Sequence, residues 1–348
     1  MSQRPRRATI LEVASAAGVS KTSVSRYYSG ERDRLSADMS RRIIAAAERL
    51  GYQPNPMARG LKGGPSGLIG MLVADIRNPF SVAVMHGVEQ ACREQGLSLM
   101  VCNTDNDPEQ ERKHLALLSS YRIEGLVVNA AGRYSEALSQ LADGGTPVVL
   151  LDRALAGVDA DEVGLDNAAA VDMALDHLIG QGYRRLLFIT EPPAQASSRQ
   201  ARLDRFQARC AEHRLTGETL STDLGDDDAL AAALDRLTSP ERDDQASDAM
   251  GPAAILCGNG QVTLAMTRCC HRRGISLGPL GLIGIDELDW CDLVDPGITT
   301  LAQPTDDIGQ AALNALRNRP ASQAGRAPRR LLFAPHLIAR GSTQLSPG

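Results

Sequence analysis

The sequence predicts an all-α head over residues 1–51 and an α/β body of two lobes over residues 68–348, with a linker between them. Three observations support this division. Residues 1–62 carry 12 Lys and Arg against 5 Asp and Glu, whereas the remainder carries 25 against 37. Helical periodicity fills the head, while short apolar runs alternate with helical stretches in the body. Proline and glycine are concentrated between the two parts, over residues 52–67.

The composition excludes several classes of protein. A hydrophobic share of 43% over 348 residues is enough to build a sizeable core. No apolar run approaches the roughly 18 residues that span a bilayer, and the basic N-terminus is not followed by the apolar stretch of a secretory signal. The seven cysteines are an odd number without a Cys-x-x-Cys pair, which predicts free thiols in a reducing cytoplasm. We therefore expect a cytoplasmic protein with no membrane partner.

Three short helices are predicted in the head. Thr9 and Glu12 have the spacing of a capping box, and apolar residues follow at helical spacing up to Ala17. Gly18 ends this helix, and Ser20 can cap the next one. A third helix is expected over residues 36–50, with one side formed by Ile43, Ile44, Ala47 and Leu50.

The second helix separates polar from apolar side chains. At about 100° per residue, one arc holds Lys21, Thr22, Ser25 and Arg26. The opposite arc holds Val24, Tyr27 and Tyr28. Such a helix-turn-helix can bury one side and present the other to the major groove of DNA, where Arg26 can bond a guanine edge. The alternative is a helical hairpin with a solvated charged face, and the basic head favours DNA.

The body alternates strands and helices, which indicates parallel sheets. Its length of about 280 residues exceeds the usual ceiling for one hydrophobic core, which predicts two α/β lobes. Strands are predicted over residues 68–74, 97–102, 125–129, 148–151, 186–190, 255–257 and 282–285. Helices are predicted over residues 81–95, 110–121, 168–181 and 261–273. The acidic segment 221–250 is interpreted as a solvated helix and loop.

No motif for catalysis or for a metal is convincing. Cys269-Cys270-His271 lacks the spacing of a metal site, and residues 105–109 lack the glycine and terminal glutamate of a calcium loop. The glycines at 278, 281 and 284 do not have the spacing of a dinucleotide fingerprint. We therefore expect no enzyme activity, metal or cofactor.

Motifs along nearly the whole chain carry a family resemblance. In the head they include Ala17-Gly18-Val19-Ser20, Val24-Ser25-Arg26 and Gly51-Tyr52-Gln53-Pro54-Asn55. In the body they include Asn78-Pro79-Phe80, Asp152-Arg153, Gly284-Ile285-Asp286 and Thr299-Thr300-Leu301-Ala302-Gln303-Pro304. The chain resembles the LacI/GalR family of bacterial repressors, and within it the branch that senses sugar acids such as ketogluconate.

This resemblance implies a hinge helix over residues 56–62, within the predicted hinge and linker 52–67. In the family this helix forms on operator DNA, and the residue that matches Leu61 inserts into the minor groove. Asn55 and Ala58 are expected to contact DNA as well. Gly60 departs from the family pattern and raises the free-energy cost of forming the helix. Tyr27-Tyr28 is bulkier than the family's usual pair.

For the body, the resemblance implies two Rossmann-like lobes, as in periplasmic sugar-binding proteins, connected three times and enclosing a ligand cleft. The family's ligand contacts fall on Asn78, Phe80, Asn129, Asp152, Arg202, Asn259, Asp286 and Gln303. Most of these positions follow predicted strands, where cleft residues converge. Phe80 or Trp290 would cover the apolar face of a sugar.

Three arginines near predicted cleft positions indicate an acidic ligand. Arg77, Arg153 and Arg202 supply guanidinium groups, which match a carboxylate in bidentate geometry. The alternative for Arg77 and Arg153 is a salt bridge on the surface or between the lobes.

The expected function is a homodimeric repressor that binds a palindromic operator and is released by a sugar acid such as 2-ketogluconate. The alternatives are a regulator that responds to a neutral sugar or a nucleoside, and a sugar-binding transport protein.

Overall fold

The computed structural model describes residues 8–29, 31–53, 65–129, 136–153, 155, 157–238, 251–318 and 327–345. The chain divides into one compact unit over Met1–Ser66 and a second over Gly67–Gly348. The predicted hinge helix, residues 56–62, falls within residues 54–64, which lie outside the described residues. It therefore stays a prediction, together with the roles of Asn55, Ala58 and Leu61.

The head contains the three predicted helices, α1 (Ile10–Ala17), α2 (Lys21–Tyr28) and α3 (Ala37–Leu50). The capping box is formed, because the Thr9 hydroxyl accepts a hydrogen bond from the Glu12 N–H while Glu12 accepts from the Thr9 N–H. Gly18 ends α1 with a φ of 61°, a left-handed conformation that favours glycine. Ser20 caps α2.

The buried face of α3 differs from the predicted one. Ile43 and Ala47 are buried as expected, but Ile44 and Leu50 are exposed and Ala46 is buried in their place. Ile43, Ala46 and Ala47 form the part of α3 that is buried in the core of the head.

The first lobe contains a parallel sheet with the strand order β2-β1-β3-β4-β5-β11 among the described residues. These strands are β1 (Leu68–Val73), β2 (Ser98–Asn103), β3 (Gly125–Asn129), β4 (Val148–Leu151), β5 (Asp161–Leu165) and β11 (Arg330–Phe333). The helices of this lobe are α4 (Pro79–Glu94), α5 (Pro108–Ser120), α6 (Glu136–Asp143) and α11 (Thr305–Arg317).

The second lobe repeats this order as β7-β6-β8-β9-β10-β12, except that β12 is antiparallel to β10. Its strands are β6 (Arg185–Thr190), β7 (Thr216–Ser221), β8 (Ala253–Cys257), β9 (Gly281–Ile285), β10 (Thr299–Ala302) and β12 (His336–Ile338). Its helices are α7 (Asn167–Gly180), α8 (Ser197–His213), α9 (Asp227–Thr238) and α10 (Gly260–Arg272).

The chain passes between the lobes three times, after β5, after β10 and after β11. The two-lobed α/β architecture and its three connections are therefore confirmed. Because of the second passage, α11 packs in the first lobe against α4, although it follows the second lobe in sequence.

Several elements escaped the sequence analysis. β7 is an exposed edge strand of mostly polar residues, and α8 is rich in charged residues, so neither shows a strong apolar pattern. The strands β5, β10, β11 and β12 are short, and α6 and α11 were also missed. The interpretation of 221–250 as solvated is wrong for α9, because Leu230, Ala233, Leu234 and Leu237 are buried.

Candidate functional site

The matching strand order places similar side chains at the same points of the two lobes. Asn129 ends β3 and Asp152 follows β4 in the first lobe, whereas Asn259 follows β8 and Asp286 follows β9 in the second. All four are buried. Both aspartates have left-handed backbone, with a φ of 63° at Asp152 and 86° at Asp286. A non-glycine residue in this conformation carries strain, which is common at functional sites.

Asp152 lies between the lobes and is only partly satisfied. It is 9% exposed, and its Oδ2 accepts a hydrogen bond of 3.1 Å from the Ser198 hydroxyl of α8. Its Oδ1 is buried and accepts no hydrogen bond from any described residue. Burial raises the pKa of Asp152, and the positive charges of Arg202 and Arg153 oppose that shift.

Asp286 is 6% exposed, and both of its carboxylate oxygens are used within its own lobe. Oδ2 accepts from the Gly260 N–H at 2.9 Å, and Oδ1 accepts from Gln303 Nε2 at 2.6 Å. Gln303 has a buried Oε1 that accepts no hydrogen bond from the described residues. Asn129 of the first lobe also has a buried Oδ1 without such a partner. Two amide oxygens are thus available to hydroxyl donors of a ligand.

Arg202 of α8 is held in a fixed orientation. Its side chain is buried, at 4% exposure for the residue. Its Nε donates to Asn167 Oδ1 and its Nη1 donates to the Gly258 carbonyl oxygen, both at 2.6 Å. One turn along the helix, Phe206 stacks on Phe188 of β6 at 5.3 Å between ring centroids. Arg202 and Phe206, which form an Arg-x-x-x-Phe pattern in the sequence, therefore place a buried cation one helical turn from an aromatic ring packed in the core.

Two further arginines join Arg202. Arg153 is largely buried, and burial lowers its pKa while its charge interacts with those of Asp152, Arg199, Glu191 and Arg202. Arg199 donates from Nη2 to Glu191 Oε2 at 2.6 Å. The same glutamate oxygen accepts from Asn259 Nδ2 at 2.6 Å. The cleft thus holds a cluster of arginines and carboxylates of both lobes.

The sequence analysis missed four members of this cluster, namely Asn167, Glu191, Ser198 and Arg199. Glu191 directly follows Thr190, the last residue of a strand that was predicted, so the strand-end argument would have found it. Asn167 begins α7. Ser198 and Arg199 lie in the first turn of α8, and that helix was not predicted.

Four other predicted ligand residues make contacts of their own outside the arginine cluster. The Arg77 side chain is 76% exposed and pairs with Asp75 at 2.9 Å, in agreement with the alternative of a surface salt bridge. Asn78 caps α4 by accepting from the Phe80 N–H. Phe80 packs in the core of the first lobe, and Trp290 packs against the core of the second. Their roles as ligand contacts stay predictions.

The head presents the predicted polar arc. Lys21, Thr22 and Arg26 are exposed on α2 and Ser25 is half-buried. On the other side of the helix, Val24 and Tyr27 are buried. The paired tyrosines do not shorten α2. Instead, the Arg32 guanidinium lies 4.6 Å from the ring centroid of Tyr27, and the ring centroids of Tyr28 and Tyr52 lie 5.6 Å apart. These contacts fix the end of the helix, and the arrangement can place donors in a DNA groove.

The cysteines lie inside the protein rather than on its surface. All seven are free and buried, which confirms the prediction of free thiols. Burial raises the pKa of Cys92 to about 11 and that of Cys270 to about 12, so both stay protonated at neutral pH. Within the described residues, no group of three or more His, Cys, Asp or Glu side chains is arranged to hold a metal ion. No helix of the described part is long and apolar enough to cross a bilayer.

Comparisons with known proteins match both parts of the chain. The model of bacterial regulatory proteins of the lacI family matches residues 9–55, and that of a periplasmic binding protein-like domain matches residues 175–343. The HTH-type transcriptional regulator PtxS of Pseudomonas aeruginosa is 51% identical over 340 residues, which cover 97% of this chain and 96% of that protein. The HTH-type transcriptional regulator KdgR of Bacillus subtilis is 37% identical over 337 residues, 96% of this chain and 97% of that protein.

The fold is shared with a crystal structure of the lac repressor dimer bound to operator and the anti-inducer ONPF. Its TM-score is 0.82 at 20% sequence identity, over 97% of this chain and 100% of that chain. At this identity the likeness concerns the fold alone.

Proposed function

Because the chain belongs to the lacI family of bacterial regulatory proteins and is a DNA-binding transcriptional regulator, we propose that it is a repressor released from its operator by a sugar acid. We propose 2-ketogluconate as the probe of this effector class. The operator would be palindromic and the protein a homodimer, because one small head reads few base pairs and a symmetric pair reads two half-sites.

The head supports the operator part of this proposal. Lys21, Thr22 and Arg26 are exposed along one face of α2. Residues 1–62 carry a net positive charge, with 12 Lys and Arg against 5 Asp and Glu, whereas the remainder of the chain is net negative. Arginine can bond the O6 and N7 atoms of guanine, and lysine can neutralise phosphate. Arg26 is the residue that we assign to base recognition.

The buried arginines carry the effector part. Arg153 and Arg202 act on the charge of Asp152 in the cleft, and Arg199 acts on that of Arg153. Guanidinium groups are costly to bury unless they face anions, and a planar carboxylate fits them in bidentate geometry. The buried amide oxygens of Asn129 and Gln303 would accept hydrogen bonds from sugar hydroxyls. A ligand with one carboxylate and several hydroxyls matches this set of groups.

The experiment selects duplexes from a random pool with the purified chain and then measures operator binding by fluorescence anisotropy. We expect a palindromic site whose affinity falls when 2-ketogluconate is added and does not change with glucose. Release by glucose alone would overturn the proposal that the effector is a sugar acid. Selection of no preferred duplex would overturn the proposal that the protein binds a palindromic operator. Sedimentation equilibrium of the free protein tests the homodimer.

Two substitutions separate the roles of head and body. Arg26→Ala should abolish selective operator binding and keep effector affinity. Arg202→Ala should keep operator binding and lose release by the effector. The matched control is Arg205→Ala on the same helix, because Arg205 pairs with Asp172 on α7 rather than with the cleft. A wild-type response in Arg202→Ala would refute the site.

A further inference from the structure

We infer that binding of the acidic effector takes up one proton, and that Asp152 holds it as a carboxylic acid that donates a hydrogen bond to the ligand. This inference rests on the proposed function of the cleft, but it concerns a different property. It predicts how the affinity for the effector depends on pH.

The charges of the cleft are the first argument. Three cations, Arg153, Arg199 and Arg202, face three carboxylates, Asp152, Glu191 and Asp286. With every group ionised, the cluster is electrically neutral. A ligand carboxylate that enters this buried space adds one negative charge without a partner, which is unfavourable at low dielectric. One carboxylate of the cluster must therefore become neutral for the charges to balance.

Hydrogen bonds identify which carboxylate changes. Both oxygens of Asp286 accept hydrogen bonds, from a main-chain N–H and from Gln303. Glu191 accepts from Arg199 and from Asn259. Each of these two carboxylates therefore already has two donors. Oδ2 of Asp152 accepts a hydrogen bond from the uncharged hydroxyl of Ser198, and its buried Oδ1 has no donor among the described residues.

The groups that face Asp152 act in both directions. Arg153 beside it and Arg202 on α8 favour the carboxylate, as does the hydroxyl of Ser198. Burial and the negative charge of Asp286 favour the acid, and burial is the largest effect, so the pKa of Asp152 is raised. A second carboxylate brought against Asp152 by the ligand raises that pKa further, because like charges at short range cannot both ionise.

The proton transfer conserves atoms and charge. A proton from solvent adds to Oδ1 of the Asp152 carboxylate as the ligand enters. The resulting O–H donates to an oxygen of the ligand, while the arginines remain charged. Neither partner forms or loses any other covalent bond. Oδ1 thereby gains the hydrogen-bonding role that it lacks without a ligand.

The test is calorimetric titration of the full-length chain with 2-ketogluconate between pH 5 and pH 9, in pairs of buffers with different ionisation enthalpies. Below the pKa of Asp152 in the free protein, we expect an affinity that is independent of pH. Above it, the affinity should fall about tenfold per pH unit, with an uptake that approaches one proton. Binding with a flat profile and no proton uptake would overturn the inference and leave the proposed function intact. Absence of binding at every pH would overturn both.

Two variants assign the proton. Asp152→Asn cannot ionise at this position, so any binding of 2-ketogluconate that it retains should show a flat pH profile and no proton uptake. Ser198→Ala keeps the charge of the cluster and removes the donor to Oδ2 of Asp152. Its affinity should fall with the slope of the wild type, but the fall should begin at a higher pH, because loss of this hydrogen bond favours the acid. An unchanged onset in Ser198→Ala, or a pH-dependent profile in Asp152→Asn, would show that another group takes up the proton and that our assignment is wrong. The buffer dependence of the wild type tests proton uptake even where a variant fails to fold.

Discussion

The two lobes place an aspartate at the same point of the same strand order, and they treat it differently. Asp286 of the second lobe follows β9 and has a donor for each oxygen within its own lobe. Asp152 of the first lobe follows β4, bonds across the cleft to Ser198 and leaves one buried oxygen without a donor among the described residues. Equivalent positions in a repeated fold therefore do not imply equivalent chemistry.

The difference shows how the site divides its tasks. Asp286 ties the start of α10 to Gln303, and each of its carboxylate oxygens accepts a hydrogen bond within the lobe. Asp152 has one buried oxygen that accepts nothing from the described residues, so we expect its protonation state to respond to what enters the cleft. In our proposal, the second lobe supplies a rigid wall and the first lobe supplies the group that responds.

The largest expected effect concerns the packing of α11 against α4 in the first lobe. A Cβ at Gly309 of α11 would lie 2.3 Å from the main-chain carbon of Gly87 on α4, so the two helices cannot keep their separation. Gly309→Ala should lower the free energy of unfolding by about 3 kcal/mol, in the upper part of the range for overpacking. Urea denaturation followed by circular dichroism measures this.

Gly180→Ala is the matched control in the second lobe. Gly180 lies at the end of α7, and a Cβ there would contact nothing within 4 Å. We expect it to be neutral or to stabilise by up to about 1 kcal/mol, because alanine favours helix. Equal losses in the two variants would show that the contact between α4 and α11 is not the cause.

Asp286→Ala should have the next largest effect. It leaves the Gly260 N–H and Gln303 Nε2 without their acceptor, at about 1 to 3 kcal/mol for a buried unsatisfied group. We expect a total loss of about 2 to 3 kcal/mol in the free energy of unfolding. The same urea titration measures it, and a loss below that of Ser198→Ala would contradict the rigid role of Asp286.

Ser198→Ala tests the contact across the cleft. It removes the hydroxyl that donates to Asp152 at 3.1 Å and leaves a second buried oxygen without a donor. The expected loss is about 1 kcal/mol. A double-mutant cycle with Asp152→Asn gives the coupling between the two side chains, and additive effects would show that this hydrogen bond contributes nothing to stability.

Asp152→Asn should have the smallest effect on stability, within about 1 kcal/mol of the wild type. The pKa of Asp152 is raised in the folded protein, so the folded state holds a proton that the unfolded state releases. The stabilisation from this group is therefore present at low pH and lost as the pH rises through the folded-state pKa. Relative to the wild type, the variant should become more stable between pH 4 and pH 8 in thermal denaturation. A constant difference would contradict the raised pKa.

Local signals determined much of this protein. The capping residues Thr9 and Ser20 and the glycine at 18 set the helices of the head, since each acts within a few residues. Apolar runs alternating with helical stretches predicted seven of the strands and their parallel arrangement. Because cleft residues follow the carboxyl ends of such strands, the sequence also pointed to Asn129, Asp152, Asn259 and Asp286.

Only the tertiary structure decided which side chains meet. Arg77 and Arg202 are the same residue type, yet one is a solvated partner of Asp75 and the other is buried between Asn167 and Gly258. Asp152 and Asp286 are likewise the same residue type, and each directly follows a strand. They differ because Asp152 accepts a hydrogen bond from Ser198, whereas Asp286 accepts one from Gln303. Burial and hydrogen bonding depend on neighbours that are 17 to 56 residues away along the chain, which local patterns do not encode.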